Sequence, residues 1–269
     1  MLIFCCGMYR SCSTWQYLVA SEILESHGLG KRAGFLHTQQ DVQNVVNRLD
    51  DTDEHLVLKL HSFDPTCAEL IRAGKAIALY SYRDIRDVAV SMAYKVSAPL
   101  AELVRNGIIE DAVQSFYRWT SLPGTLVQQY EAIVASPAEA VYQIAKHLHI
   151  ELTASQVAAI VEHNSIETNT SRTQRLKEQL EQDGVNLDDP QNALRFDDHT
   201  LLHWNHIRPQ AHNDWRSQLS MEELLLLFPL IGTWLKDTGI ERDPTWILQP
   251  LLRDQPPEVQ REVRAILGS

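Results

Sequence analysis

The residues of greatest chemical interest lie near the start of the chain, in the segment 7–15, which reads Gly-Met-Tyr-Arg-Ser-Cys-Ser-Thr-Trp. It follows the apolar run 2–6 and leads into an amphipathic helix predicted from about Ser13 to His27. A strand, a small-residue loop and a helix in this order present backbone N–H groups and a helix N-terminus to an anion. The hydroxyl groups of the loop and the Arg10 guanidinium suit a phosphate or a sulfate. The alternative is an ordinary strand–helix turn capped by Ser13.

The loop has the outline of a phosphate-binding Walker loop, Gly-x-x-x-x-Gly-Lys-Ser/Thr, but departs from it at two positions. Cys12 stands at the second glycine, where a positive φ or a close approach to the ligand would favour glycine. Ser13 stands at the lysine that grips the phosphate, and the cation of the loop is Arg10, three residues earlier. We therefore expect an anionic nucleotide here, without ordinary magnesium-ATP chemistry.

Further candidates directly follow two other apolar runs, 55–60 and 76–82. His61 follows the first run, and a histidine at the carboxyl edge of a parallel sheet can take a proton near neutral pH. Arg83 follows the second run, and together with Arg86 it could hold a second phosphate. The alternative for His61 is an ordinary surface histidine. The alternative for the two arginines is a solvated helix start with acidic residues at the positive end of the helix dipole.

Strands and helices alternate along the first half of the chain, which indicates an α/β fold with a central parallel sheet covered by helices on both faces. A polar stretch with three glycines, 28–34, comes after the first helix. The segment 164–205 is polar and is predicted to form mobile loops and short helices. We predict one domain over 1–269, with 164–205 as a variable segment and 241–269 as a C-terminal extension. The predicted strands are 2–6, 55–60, 76–82 and 125–130, and the predicted helices include 13–27, 85–95, 111–119 and one that begins at 137.

Composition excludes several classes of protein. The net charge of −11 over 269 residues disfavours DNA or RNA as the main ligand. Three of the four cysteines lie within residues 5–12, which is not a disulfide framework. No run of about 18 apolar residues could span a membrane, and the first strand begins at Leu2 without a leader segment before it. These features predict a cytoplasmic protein.

Taken together, the loop, the histidine and the arginines resemble one family, the sulfotransferases that use 3′-phosphoadenosine-5′-phosphosulfate. The first loop of that family reads basic-Ser-Gly-Ser/Thr-Thr-Trp, and residues 10–15 match it at five of six positions, with Cys12 as the exception. A second family motif, Arg-x-Pro-x-Asp-x-x-x-Ser, is matched by Arg83, Asp87 and Ser91, with Ile85 in place of the proline.

Three shorter motifs follow the family's order. Lys-Thr-His at a strand end looks like residues 59–61, and Tyr-Glu-Asp before a proline-led helix looks like 130–132. The late motif Arg-Lys-Gly-x-x-Gly-Asp-Trp-Lys looks like 208–216, which keeps its arginine, aspartate and tryptophan but neither glycine. Each motif alone is weak, and five in one order make the resemblance specific. It extends from residue 2 to about 236, and it gives no match for 164–205.

The resemblance implies a P-loop-like fold and in-line transfer of a sulfuryl group to a hydroxyl, with 3′,5′-diphosphoadenosine as the product. His61 would remove the hydroxyl proton. Arg10 would stabilise charge on the oxygen between sulfur and phosphorus, since an arginine with a pKa above ~12 is not a proton donor. No metal is implied. The implied donor-binding residues are Ser11, Cys12, Ser13 and Thr14 for the phosphosulfate, Trp15 and Tyr130 for the adenine, and Arg83, Ser91 and Arg208 for the 3′-phosphate, with Asn213 and Arg216 nearby.

The acceptor would be a small molecule or a carbohydrate with a hydroxyl group, and the segments 97–107 and 164–205 are expected to shape its pocket. Two other functions remain open: a P-loop nucleotide kinase, and a non-catalytic protein that binds 3′,5′-diphosphoadenosine. Three histidines, His199, His203 and His206, would share one helix face if their stretch is helical. We interpret them as a polar face near the acceptor entrance, with a metal site as the alternative. The sequence does not indicate an oligomeric state.

Overall fold

The computed structural model describes residues 1–47, 54–207, 215–253, 257–259 and 261. The chain divides into two compact units. The first comprises Met1–Arg83 and Ser115–Ala211, and the second comprises Asp84–Gln114 and His212–Ser269. The single domain expected from the sequence stays a prediction.

The first unit contains a five-stranded parallel sheet. Its strands are β1 Leu2–Gly7, β2 Gly30–Phe35, β3 His55–Lys59, β4 Ala76–Tyr82 and β5 Thr125–Gln129. They lie in the order β2-β3-β1-β4-β5, and every neighbouring pair is parallel. The central parallel sheet predicted from the alternating pattern is confirmed.

Helices connect the strands and continue after the sheet is complete. In chain order they are α1 Ser13–Ser26, α2 Gln39–Val46, α3 Pro65–Arg72, α4 Ile85–Val96, α5 Leu100–Arg105, α6 Ile108–Thr120, α7 Tyr130–Ala135, α8 Pro137–His147, α9 Ala154–His163, α10 Ile166–Gln182, α11 Trp215–Gln218, α12 Met221–Asp237 and α13 Gln249–Leu252. Single 3₁₀ turns occur at Pro190–Leu194 and Pro244–Leu248. In the described part of the chain, no helix combines the length and apolar character that crossing a membrane requires.

Both faces of the sheet are covered, because the side chains of β1 alternate between two apolar layers. Ile3 and Cys5 belong to a buried cluster that includes residues of α1, α8 and α9. Phe4 points to the opposite face, where its ring centroid lies 6.4 Å from that of Trp119. The whole of β1 is buried, so the loop after it starts from a fixed point.

Strand β2 was not predicted, because its sequence Gly-Lys-Arg-Ala-Gly-Phe lacks an apolar pattern. It lies at the edge of the described sheet, beside β3, and burial therefore constrains its composition weakly. Gly30 fits where a larger residue would not, since a Cβ there would lie 2.6 Å from the His55 carbonyl oxygen. The glycine that suggested a loop is required by the close approach of two strands.

The prediction of mobile loops and short helices for 164–205 is wrong over its first half, which is the 17-residue helix α10. Ser165 caps this helix by accepting a hydrogen bond from the Thr168 N–H. Polar pairs one turn apart, such as Gln174 with Glu178 at 2.8 Å, replace the apolar stripe that the sequence lacks. The predicted loop 97–107 likewise contains the short helix α5.

The second unit contains an ion-paired cluster around Arg86, which is 1% exposed. Its guanidinium bonds Asp84 at 2.8 Å and Glu241 at 3.2 Å, and it lies 3.9 Å from the ring centroid of Trp215. Two carboxylates therefore already neutralise this arginine. This pairing favours the alternative of an ion-paired helix start over a phosphate clamp formed with Arg83, and the clamp stays a prediction.

Candidate active site

The carboxyl ends of the strands in the first unit bring several predicted functional residues to one edge of the sheet. The loop 8–12 follows β1, His61 follows β3, Arg83 follows β4 and Tyr130 follows β5. Ligands of open parallel sheets bind at this edge. The alternation of strands and helices, together with the position of each residue just after a strand, was sufficient to predict that these residues lie at the same edge of the sheet.

The loop after β1 is tied to β4. The Met8 N–H donates to the Ser81 carbonyl at 3.0 Å. The fully buried Ser11 hydroxyl lies 2.6 Å from the Met8 carbonyl, 2.9 Å from the Ser81 carbonyl and 3.1 Å from the Ser81 hydroxyl. A Cβ on Gly7 would approach Ser81 to 2.5 Å, so only glycine fits there. Ser11 therefore fixes the loop, and its contact with a donor stays a prediction.

Cys12 occupies the position before α1 in the left-handed region, with φ 76°. Arg10 is left-handed as well, with φ 62°. Side chains other than glycine rarely adopt this conformation. The position at which the first-loop motif has glycine thus has a positive φ in this chain. Burial raises the pKa of the Cys12 thiol to about 12, although Arg83 and Arg10 act in the opposite direction, so the thiol is neutral.

We predict that the stability of the loop depends on the shape of residue 12. Cys12→Val should lower the free energy of unfolding by about 1–2 kcal/mol relative to Cys12→Ala, because a β-branched side chain is strained at φ 76°. Cys12→Gly should stay within about 1 kcal/mol of the wild type, since relief of strain offsets the greater freedom of the unfolded chain. Urea denaturation measures all three variants. Equal stability of the valine and alanine variants would contradict the prediction.

The N-terminus of α1 has the properties of an anion site. Among the described residues no side chain caps it, and its first turn contains no acidic residue. Its first three residues are Ser13, Thr14 and Trp15, of which the first two are buried and the third is half-buried. The backbone N–H groups at such a terminus lack helical partners and carry a partial positive charge. A phosphate or sulfate would satisfy them.

His61 is held in a defined tautomer by two neighbours. Its Nδ1 lies 3.1 Å from the Gly7 carbonyl oxygen, which can only accept, so Nδ1 carries the proton. Its Nε2 lies 2.8 Å from the Lys59 ammonium nitrogen and accepts from it. The Nε2 lone pair is therefore the basic atom of the site. The Tyr9 ring covers the imidazole, with a centroid separation of 4.7 Å.

Lys59 is a candidate site residue to which the sequence analysis gives no role beyond the Lys-Thr-His likeness at 59–61. It is 3% exposed, bonds His61 Nε2, and lies 4.9 Å from the centroid of the Phe35 ring. Burial lowers the pKa of Lys59 to about 7. Burial also lowers the pKa of His61 well below 6.5, and Lys59 lowers it further. The signal was present in the sequence, since a lysine inside the apolar run 55–60 is a buried charge that needs a reason.

We predict that Lys59 makes stability depend on pH between about 7 and 10.5. In this window the unfolded chain holds a proton on Lys59 that the folded chain has released, so the free energy of unfolding rises with pH. Lys59→Met removes this dependence on pH. Within the window, the free energy of unfolding of the variant should exceed that of the wild type by the largest amount at pH 7. Denaturant unfolding across the window measures the difference. A difference that does not change with pH would contradict it, and Lys177→Met, which replaces an exposed lysine on α10, is the control for the substitution itself.

Arg10 reaches the segment after α10. Its guanidinium donates to the His206 carbonyl at 2.5 Å. This segment is not helical, because Phe196 and His203 pair in an antiparallel bridge, so the three histidines do not share a helix face. The His203 and His206 rings stack at 5.7 Å. Within the described residues, no group of three or more His, Cys, Asp or Glu side chains could hold a metal ion.

Arg83 and Tyr130 lie together at the ends of β4 and β5. Arg83 is 7% exposed, and its guanidinium lies 4.2 Å from the centroid of the Tyr130 ring. A buried guanidinium at this edge is a strong point of attraction for an anion. Arg83 therefore covers one face of the Tyr130 ring.

The remaining predicted donor residues are not in the first unit as described. Ser91 is buried in α4 of the second unit. Arg216, in the same unit, places its guanidinium 4.5 Å from the centroid of the Trp215 ring. Arg208 and Asn213 lie outside the described residues. Their roles stay predictions.

The comparisons with known proteins concern the family and the fold of the chain. A family model described as the sulfotransferase domain matches residues 3–239. The comparison with curated proteins gives no match. Similar solved structures include mouse sulfotransferase SULT7A1 complexed with PAP, which is 17% identical, with a TM-score of 0.61 over 89% of this chain and 85% of that chain. Retinol dehydratase in complex with retinol and PAP is also 17% identical, with a TM-score of 0.56 over 88% of this chain and 81% of that one. The structural matches show a shared fold, and the family model covers most of the sequence, so the chain belongs to the sulfotransferase domain family.

Proposed function

We propose that this protein transfers a sulfuryl group from 3′-phosphoadenosine-5′-phosphosulfate to a hydroxyl acceptor. The observation that carries the proposal is the N-terminus of α1, which no described side chain caps, at the same sheet edge as a neutral histidine with a free-base Nε2. Family membership favours this reaction over that of a nucleotide kinase. PAP in the similar solved structures supports the choice of donor.

The residues of the first unit fit such a donor. The N–H groups at Ser13 and Thr14 would hold the 5′-phosphosulfate, and the buried Arg83 would attract the 3′-phosphate. Tyr130 and Trp15 would flank the adenine. When bound, the donor supplies an activated sulfuryl group on a phosphate leaving group.

The reacting side chains act on protons and charge. His61 takes the acceptor's hydroxyl proton at Nε2, which requires the hydroxyl to share or replace the Lys59 hydrogen bond. The Gly7 carbonyl keeps the ring oriented while this happens. Arg10 and Lys59 place positive charge at the same edge, where it stabilises developing negative charge by a few kcal/mol in a dry site.

The proposal is tested by titrating the protein with 3′,5′-diphosphoadenosine in a calorimeter and by following a labelled sulfuryl group into a panel of hydroxyl compounds. We expect micromolar binding without added metal, and transfer to at least one acceptor. Binding and hydrolysis of magnesium-ATP without binding of the diphosphoadenosine would favour the kinase. Tight binding with no transfer to any acceptor would favour the non-catalytic binder.

A charge placed at the start of α1 tests the anion site itself. We predict that Ser13→Asp lowers the affinity for 3′,5′-diphosphoadenosine by at least about 100-fold, because a carboxylate competes for the same N–H groups. Ser26→Asp at the other end of α1 is the matched control and should bind normally. Circular dichroism and melting temperatures check that both variants fold. Unchanged binding by the folded Ser13→Asp variant would contradict the assignment.

A further inference from the structure

A cavity of about 380 Å³ lies within the second unit, where residues of α11, α12 and the 3₁₀ turn 244–248 line it. Its volume is in the range of about 300–1,000 Å³ that is typical of small-molecule sites. At the packing density of about 0.74 found in protein interiors, it holds roughly 280 Å³ of ligand atoms. Of the described lining residues, Arg216 alone has a predicted role, near the 3′-phosphate of the donor.

Two indole rings form the aromatic part of the lining. Trp215 and Trp246 stack with their centroids 6.2 Å apart and their planes inclined by 23°. Trp215 is 4% exposed, whereas Trp246 is half-buried. The aliphatic part of the lining comes from Leu219, Met221 and Leu224. Because aromatic rings pair favourably with one another, this lining favours a ligand with a planar ring.

Both indoles are fixed by the rest of the second unit. The Trp215 N–H donates to Asp87 Oδ1 at 3.0 Å, and the Arg86 guanidinium lies 3.9 Å from the centroid of its ring. Trp246 lies in the 3₁₀ turn that Asp243 caps. A ligand that binds between rigid walls loses less free energy to the ordering of side chains.

Glu241 places a negative charge in the lining. Its Oε2 lies 3.2 Å from Arg86 Nη1. That arginine is already matched by Asp84, which accepts from its Nε at 3.0 Å and from its Nη2 at 2.8 Å in a bidentate pair. The two carboxylates and one guanidinium together keep one negative charge, and Glu241 is the member of the three that lines the cavity.

Arg216 places a positive charge in the same lining. It is exposed, and its guanidinium lies 4.5 Å from the centroid of the Trp215 ring. Stacking uses the face of a guanidinium, whereas its N–H donors lie in its plane and match a carboxylate. The lining therefore combines a cation, a carboxylate and aromatic surface, and a complementary ligand has a carboxylate, a cation and a ring.

We infer that the cavity of the second unit binds a free aromatic amino acid. The ring would lie against Trp246, the carboxylate would pair with Arg216, and the ammonium would pair with Glu241. An aromatic acid or an aromatic amine would match only one of the two charged side chains. The inference goes beyond the proposed function and does not depend on it.

Four ligands that differ by one group each test the assignment on the wild-type protein. Tryptophan has the ring and both charges, indole-3-propionate lacks the ammonium, tryptamine lacks the carboxylate, and leucine lacks the ring. We expect calorimetry to give a Kd below about 1 mM for tryptophan. The other three should bind at least about 10-fold more weakly. Equal or tighter binding of any of the three would overturn the inference.

Two substitutions test which side chain meets which charge. Glu241→Gln should weaken the binding of tryptophan by about 10-fold and leave that of indole-3-propionate unchanged, because this ligand has no ammonium. Arg216→Gln should weaken tryptophan similarly and leave tryptamine unchanged. Arg242→Gln, which removes an exposed charge next to the lining in sequence, is the control and should bind tryptophan normally. Equal losses for both ligands in a folded variant would contradict the pairing.

Folding of the variants is checked by circular dichroism. Glu241→Gln also loses a hydrogen bond to the buried Arg86. The comparison of the four ligands needs no variant, so it decides the inference even where a variant does not fold.

The place of binding and its independence from the donor are measured separately. A crystal with 5-bromotryptophan should show the anomalous signal of bromine beside Trp246, and a signal elsewhere would overturn the inference. Tryptophan should bind equally well at saturating 3′,5′-diphosphoadenosine, whereas loss of binding would assign the cavity to the donor site through Arg216. An affinity that falls as the protein concentration rises would indicate a second copy over the cavity and would also overturn it. Failure to bind diphosphoadenosine would refute the proposed function and leave this inference standing.

Discussion

His61→Ala is expected to lower the rate of sulfuryl transfer by about 10²–10⁴-fold while leaving the affinity for 3′,5′-diphosphoadenosine almost unchanged. The reason is the orientation of the ring. Nδ1 donates to the Gly7 carbonyl, so Nε2 alone can accept a proton. The variant removes that acceptor and leaves the N-terminus of α1, the expected donor site, as it was.

The control for this variant is His163→Ala, which changes a largely exposed histidine paired with Glu22. It should keep full activity. Single-turnover kinetics with labelled donor distinguish a slow chemical step from slow product release. If His61→Ala turned over at the wild-type rate, another group would have to be the base. The amine form of Lys59, whose pKa burial lowers to about 7, would be the first to test.

Adding imidazole to the His61→Ala variant distinguishes a catalytic role of His61 from a purely structural one. The alanine variant leaves a space beside the Gly7 carbonyl and Lys59 that imidazole could enter. Recovery of rate with imidazole concentration would show that the missing function is proton removal. No recovery, together with a lowered melting temperature, would indicate that His61 mainly supports the fold.

The sequence was sufficient to predict four of the five strands and the residues that follow them, and three of the four, β1, β3 and β4, are largely buried. A buried strand such as β1 must be apolar throughout, and its end is marked by Gly7. The edge strand β2 and the polar helix α10 escape this rule, since one is half-exposed and the other is stabilised by capping and polar pairs. Apolar periodicity, the signal that prediction uses, is weak in both.

The motif pattern located the candidate residues but not their partners. Nothing in the spacing of Lys59 and His61 indicates that a hydrogen bond joins them, or that Arg10 bonds the His206 carbonyl almost 200 residues later. Such contacts depend on how segments distant in sequence pack. The tautomer of His61 also depends on a packed neighbour, the Gly7 carbonyl. These details decide mechanism, and only three-dimensional structure supplies them.

Arg10→Ala is expected to lower the transfer rate by about 10²–10³-fold, or about 3–4 kcal/mol in the barrier, as removal of one preorganised charged donor does elsewhere. Unlike the His61 variant, it should also weaken the binding of 3′,5′-diphosphoadenosine, because Arg10 belongs to the loop that precedes the N-terminus of α1. The backbone at Arg10 is left-handed, with φ 62°, and this conformation sets the direction in which the side chain leaves the loop.

Arg10→Lys separates charge from geometry. Lysine keeps the positive charge but offers a point donor in place of a planar fork. If charge alone matters, the lysine variant should recover most of the activity; if the guanidinium must bond the His206 carbonyl and the leaving group together, it should recover little. Arg105→Ala, at the exposed end of α5, controls for a general loss of positive charge. Wild-type rates in Arg10→Ala would exclude this residue from catalysis and leave Lys59 as the cation that stabilises the departing phosphate.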